Sequence, residues 1–87
     1  MTIKQMKKVG EHIKMHGMSE DIKAATYQEA KQMLQDGCFD IYYDDARKTL
    51  AEIYEETEEE AARFSDMEVW ERYKHIIALM ASHKKYL

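Results

Sequence analysis

The stretch from Asp44 to Leu87 constrains the fold most, because its apolar residues recur at helical spacing almost without interruption. In its first part, small or apolar residues stand three and four positions apart: Tyr43, Ala46, Leu50, Ile53, Tyr54, Thr57, Ala61 and Phe64. In its second part, the apolar residues cover nearly half of a helix surface: Val69, Trp70, Tyr73, Ile76, Ile77, Leu79, Met80 and Leu87. The pattern predicts long helices over Asp44–Ala62 and Asp66–Lys84, folded back on each other at Arg63–Ser65.

Composition points to the same class. The 87 residues include no proline, only three glycines and many strong helix formers, and they leave room for one core. We therefore predict a single all-α domain over residues 1–87. It is a compact bundle of four helices, or five if the second splits, with a long C-terminal helical hairpin.

The first helix is predicted from Thr2 and Gln5, which have the spacing of a capping box. One face of this helix is apolar or small: Ile3, Met6, Val9, Gly10 and Ile13. A glycine inside such a face costs about 1 kcal/mol relative to alanine, so we interpret Gly10 as the place where another helix crosses closely. Gly17 is suited to the left-handed position that ends the helix.

The second segment allows two interpretations. Ser19 is a candidate N-cap for one helix through Leu34, but Thr26 and Glu29 form a second capping box inside it. We favour a break near Ala25. A third capping box, Ser65 with Glu68, predicts the start of the last helix.

Charge changes sign along the chain. Residues 1–36 carry net +1, residues 37–71 net −9 and residues 72–87 net +4, for −4 in total. The acidic middle disfavours nucleic-acid binding, since phosphate attraction supplies most non-specific affinity. It suits a basic protein partner instead. The candidate contacts are the acidic run: Glu55, Glu56, Glu58, Glu59 and Glu60.

The segment from Phe39 to Tyr43 is the most aromatic of the chain. We expect it to tie the first helices to the C-terminal hairpin, and Phe39, Tyr42 and Tyr43 form a second candidate contact surface. Trp70, at the flank of the broadest apolar stripe, is expected to anchor the core rather than to bind a ligand.

Catalytic and cofactor chemistry finds little support in the sequence. His12 and His16 stand one turn apart, a spacing that can place two imidazoles on one metal. His16 borders the apolar stripe, however, while His12 is expected to point away from it. Cys38 lies between Asp36 and Asp40, and nearby anions disfavour a reactive thiolate. With no phosphate-binding or dinucleotide motif either, we predict no enzyme, no metal and no cofactor.

These observations favour a non-catalytic protein-interaction or regulatory module that recognises a protein partner through its surface. One alternative is an acidic inhibitor of a nucleic-acid-binding protein, of the kind a phage or mobile element encodes. Another is a small helix-turn-helix DNA-binding regulator using Ile22–Gln35, although only Lys23 and Lys31 are basic there.

The setting of the protein follows from three further features. A single cysteine is typical of a reducing compartment. The chain has no apolar run of the ~20 residues that span a bilayer, and it lacks the features of a secretion signal at its start. We therefore expect a cytoplasmic protein without a membrane partner. Its small size and broad last stripe leave a homodimer and a monomer equally open.

Overall fold

The computed structural model describes all residues from Met1 to Leu87 as six α-helices and two short 3-10 turns, without a strand. The helices are α1 (Ile3–Met15), α2 (Ser19–Lys23), α3 (Tyr27–Gln35), α4 (Tyr43–Tyr54), α5 (Glu58–Ala62) and α6 (Asp66–Leu79). The 3-10 turns are Met80–Ser82 and Lys84–Tyr86. The all-α class is confirmed. The bundle contains six helices rather than four or five.

The predicted capping boxes at Thr2, Thr26 and Ser65 are all present. In each, the hydroxyl of the N-cap residue accepts a hydrogen bond from the backbone N–H three residues later. The side chain of that later residue accepts a hydrogen bond from the backbone N–H of the N-cap residue. The box at Thr26 confirms the break near Ala25 and separates α2 from α3. Ser19 is not an N-cap: it is the first residue of α2, and its hydroxyl makes no capping bond.

The long helix predicted over Asp44–Ala62 is wrong, because it breaks after Tyr54. Glu55 adopts the left-handed conformation, with φ of 55°, and ends α4. Thr57 and Glu60 then form a fourth capping box that starts α5. A Thr-x-x-Glu box supplies its own helix start, so the chain can turn here without glycine or proline.

Helix α6 lies at the centre of the bundle and packs against α3 and α4. At about 100° per residue, its buried residues cover a little more than half of the helix surface: Val69, Tyr73, Lys74, Ile76, Ile77 and Ala78. The predicted α-helix to Lys84 is too long, since the α-helix ends at Leu79 and tightens into the 3-10 turns. No helix of the protein is both long enough and apolar enough to cross a bilayer.

The expected close crossing at Gly10 exists, but a 3-10 turn rather than a helix makes it. Gly10 is buried against the backbone of Tyr86. A β-carbon on Gly10 would overlap the Tyr86 carbonyl oxygen. The C-terminal 3-10 turn therefore packs directly against α1 at Gly10.

Candidate protein-interaction surface

The acidic run does not present its five glutamates as one surface. The Glu55 carboxylate, at the end of α4, accepts a hydrogen bond of 2.7 Å from the Lys4 ammonium and lies 3.9 Å from that of Lys8. The hydrogen bond from Lys4 lowers the pKa of Glu55, and the same bond raises the pKa of Lys4. Both groups are largely exposed, so this contact holds the start of α1 near α4 only weakly.

Glu56 turns inward. Its carboxylate accepts from the Arg72 guanidinium at 3.0 Å, and its side chain is 16% exposed. The guanidinium lies 3.9 Å from the centre of the Phe64 ring and 5.0 Å from that of Tyr54. Glu56 therefore belongs to a half-buried ion pair that joins the α4–α5 turn to α6.

Of the last three glutamates in the run, Glu60 has a structural role, whereas Glu58 and Glu59 make no side-chain contact with another charged or polar group. Glu60 closes the capping box of α5, and hydrogen bonds with Thr57 lower its pKa. Glu58 and Glu59 are exposed and form no ion pair or side-chain hydrogen bond. They alone of the five retain carboxylates that no other group of the chain engages.

A second group of candidate residues gathers around Trp70. Tyr42 and Tyr43, at the start of α4, are 68% and 48% exposed, and Phe39 is partly buried. The Tyr43 ring meets the Trp70 ring edge to face at 5.5 Å. Trp70 in turn stacks on the buried Tyr73 at 5.7 Å. Trp70 packs against the core, as expected of an anchor, but it is only partly buried and also reaches the surface.

The rings of Phe39, Tyr43 and Trp70 border a shallow cleft of about 210 Å³, which we call the aromatic cleft. It is lined by Leu34, Gln35, Gly37, Phe39, Ile41, Tyr43 and Trp70. Trp70 was not among the surface residues predicted from the sequence. Its position at the flank of the apolar stripe could have indicated its role in the cleft. Residues at a stripe's edge face both the core and solvent.

The surroundings of the aromatic cleft are acidic. Asp36, Asp40 and Asp44 are exposed in the segments that border it. Two nearby bases are already engaged. Lys74 is buried and donates to Glu71 and Gln35, and the Arg47 guanidinium donates to two backbone carbonyls and a carboxylate at the α5–α6 turn. The fringe of the cleft therefore carries three exposed carboxylates, against two lysines without ion pairs, Lys31 and Lys48, one turn from Gln35 and Asp44.

His12 and His16 line a groove of about 670 Å³ between α1 and α4. His12 Nε2 and the Tyr73 hydroxyl are 2.7 Å apart, so His12 faces inward and the expectation that it points away is wrong. The His16 ring is exposed, 4.4 Å from that of His12. No three His, Cys, Asp or Glu side chains are placed to hold a metal ion. Cys38 is a free, exposed thiol.

The state of His12 predicts a pH dependence of stability. Burial, aided by the charge of His16 and opposed by that of Asp45, lowers the pKa of His12 from 6.5 to about 4. The fold favours the neutral ring, so this contribution is complete above pH 6.5 and is lost as the pH falls towards 4. Solvent screening reduces the effect to about 2 kcal/mol.

Urea titrations at pH 7 and near pH 4.5 measure this loss. We expect His12→Gln to lose less stability on acidification than the unmodified chain, and the exposed control His83→Gln, remote in sequence from His12, to lose as much. Equal losses in the unmodified chain and in His12→Gln would show that the ring titrates as it does in the unfolded chain.

The two short helices proposed for DNA contact are α2 and α3. Lys23 pairs with Glu20 at 3.6 Å, and the Lys31 ammonium lies 5.6 Å from the centre of the Tyr27 ring. Lys31 forms no ion pair, and DNA binding by these two helices stays a prediction.

A scan against protein-family models and searches of curated proteins and of solved structures find no match for this chain.

Proposed function

We propose that the protein is a non-catalytic interaction module of the cytoplasm, and that its partner is a basic protein segment held in the aromatic cleft. One observation carries the proposal. Tyr42 and Tyr43 stand exposed beside a cleft walled by Phe39 and Trp70. Aromatic side chains are enriched at protein interfaces, where they supply large contact area at low entropic cost.

The size of the cleft suits a single anchor. A volume of about 210 Å³ is smaller than a typical drug-sized ligand pocket but accommodates one bulky apolar side chain. Such an anchor, seated in a pocket and ringed by weaker contacts, is the usual arrangement of an interface hot spot.

The exposed carboxylates around the cleft favour a positively charged partner. Asp36, Asp40 and Asp44 favour a segment in which lysine or arginine flanks the apolar anchor. A second copy of this chain in the cleft would bring two such fringes together, and like charges at an interface are unfavourable. The cleft is therefore better suited to a different, basic protein.

Peptide selection tests this chemistry directly. We expect a library of displayed peptides, selected on the whole protein, to yield binders with one bulky apolar residue among lysines or arginines. Tyr42→Ala with Tyr43→Ala should weaken these binders about tenfold or more, the loss typical of interface anchors. The control Tyr54→Ala changes an exposed ring that packs on Arg72 outside the cleft, and it should leave binding unchanged.

Circular dichroism of each variant separates lost binding from lost folding. Selected peptides that lack basic residues, or that bind the Tyr42 and Tyr43 variant as tightly as the unmodified protein, would contradict the proposal.

A further inference from the structure

Lys74 is the one charged residue that the fold buries, with 5% of its surface exposed. Its ammonium group donates to the Oε1 atom of Gln35, at the end of α3, and to that of Glu71, one turn earlier on α6. A buried ammonium group is costly unless it is hydrogen-bonded and paired with an opposite charge, and these two contacts supply both. Because Glu71 compensates its charge, Lys74 adds little repulsion towards a basic partner.

The contact with Lys74 fixes the orientation of the Gln35 carboxamide. The amide oxygen must face the ammonium group, because the amide nitrogen carries hydrogens of its own and cannot accept a hydrogen bond from Lys74. The N–H donors of the amide are therefore directed away from Lys74, and they have no acceptor within the chain. Gln35 also lines the aromatic cleft. The wall of the cleft consequently carries free donors whose orientation is already set.

Gln35 differs in this respect from the other polar groups of the aromatic cleft. The lining residues with polar side-chain atoms are Gln35, Tyr43 and Trp70. Of these, only Gln35 is oriented by a hydrogen bond from another side chain. A donor that is already held in place loses less conformational entropy on binding than one that rotates freely. Gln35 is therefore suited to a directional contact with a bound chain.

We propose that the Gln35 amide donates a hydrogen bond to a backbone carbonyl of the bound segment, next to its apolar anchor, and that Lys74 is the positioning residue that orients this amide. The inference rests on the proposed function, since it requires a protein segment in the aromatic cleft. Every such segment offers backbone carbonyls, whereas the side chains of its lysines and arginines are donors only. Gln35 thus recognises the main chain, while the rings of the cleft recognise the anchor.

Gln35→Glu separates this role from a purely structural one. The carboxylate keeps the acceptor for Lys74 and adds a negative charge that would attract a basic peptide, but it has no N–H to donate. We expect the affinity for the tightest peptide selected on the protein to fall about three- to tenfold, the range of one net hydrogen bond. Fluorescence anisotropy in about 500 mM NaCl measures this loss, because salt screens the added charge. The control Gln28→Glu makes the same substitution at an exposed site of α3 outside the cleft, and it should bind as the unmodified protein does.

Lys74→Met tests the positioning residue. Replacement of a buried charge by an apolar side chain of similar volume is often neutral or stabilising, so the variant should fold. Without the ammonium group the Gln35 amide rotates freely, and the affinity for the same peptide should fall, by less than in Gln35→Glu. In the Gln35→Glu background, Lys74→Met should cause no further loss of affinity, because no amide remains to be oriented.

The possible failures are distinguishable. Binding by Gln35→Glu that is as tight as binding by Gln28→Glu would overturn this inference and leave the aromatic cleft as the binding surface. An equal loss from Lys74→Met in both backgrounds would show that Lys74 does not act through Gln35. Selected peptides that bind the Tyr42 and Tyr43 variant undiminished would remove the proposed function and this inference together. Circular dichroism of each variant confirms that a loss of affinity is not a loss of folding.

Discussion

We expect Gly10→Leu to lower the free energy of unfolding by about 3 kcal/mol, at the upper end of the usual cost of overpacking. The obstacle is the Tyr86 backbone, which cannot rotate away as a side chain could. The introduced side chain must therefore push the C-terminal turn off α1. This loss exceeds the gain of about 1 kcal/mol in helix propensity that removal of a glycine brings.

Urea denaturation of Gly10→Leu measures the effect, with Glu11→Leu as the matched control. Glu11 is exposed on the same helix, so its replacement should change stability little. An unchanged or higher midpoint for Gly10→Leu would mean that the C-terminal turn does not rest on α1.

A second large effect is expected at Arg72. Arg72→Ala removes the partner of the half-buried Glu56 carboxylate and the guanidinium packed on Phe64. Loss of one partner from a desolvated pair is costly because the remaining charge is left uncompensated. We expect about 3 kcal/mol in total, the sum of the stranded carboxylate and the lost cation–π contact.

A double-mutant cycle separates the two contributions. Glu56→Gln and Arg72→Met, made singly and together, should show a coupling of about 1–2 kcal/mol. The exposed pair of Lys4 and Glu55 gives the comparison, and its coupling should be much smaller. Additive effects at Glu56 and Arg72 would show that the ion pair does not join α4, α5 and α6.

Local signals in the sequence predicted much of the fold. The boxes at Thr2, Thr26 and Ser65 each depend on two residues three positions apart, and all three helix starts are correct. The box at Thr57 has the same spacing, but it lies inside a run of glutamates and an unbroken apolar period, which favoured one long helix. Glu55 in a left-handed conformation has no local sequence signal, since glycine or asparagine normally takes that position.

The candidate surfaces could be predicted only in part, because their residues are assigned by distant contacts. Glu55 forms an ion pair with Lys4 of α1, and Glu56 forms one with Arg72 of α6, so neither carboxylate is free. His12 and Tyr73 likewise meet from opposite ends of the chain. The charge pattern identified the acidic region. Only the packing shows that Glu55, Glu56 and Glu60 form structural contacts, whereas Glu58 and Glu59 form none.

The aromatic segment was easier to predict as a surface. Tyr42 and Tyr43 are exposed, whereas Phe39 packs against the core. Which rings remain exposed depends on the start of α4. Tyr42 immediately precedes the helix and extends into solvent, whereas Tyr43 turns towards Trp70.

Photo-crosslinking in cells tests the central claim, that the aromatic cleft binds a protein, most directly. A photoreactive phenylalanine derivative replaces Tyr42, whose side chain is exposed and makes no capping bond. The matched control carries it at Met15, an exposed residue that lines the groove between α1 and α4. We predict a discrete cross-linked protein with a basic contact segment for the Tyr42 probe and none for the Met15 probe. Cross-linking from Met15 with none from Tyr42 would contradict the assignment of the cleft as the binding surface.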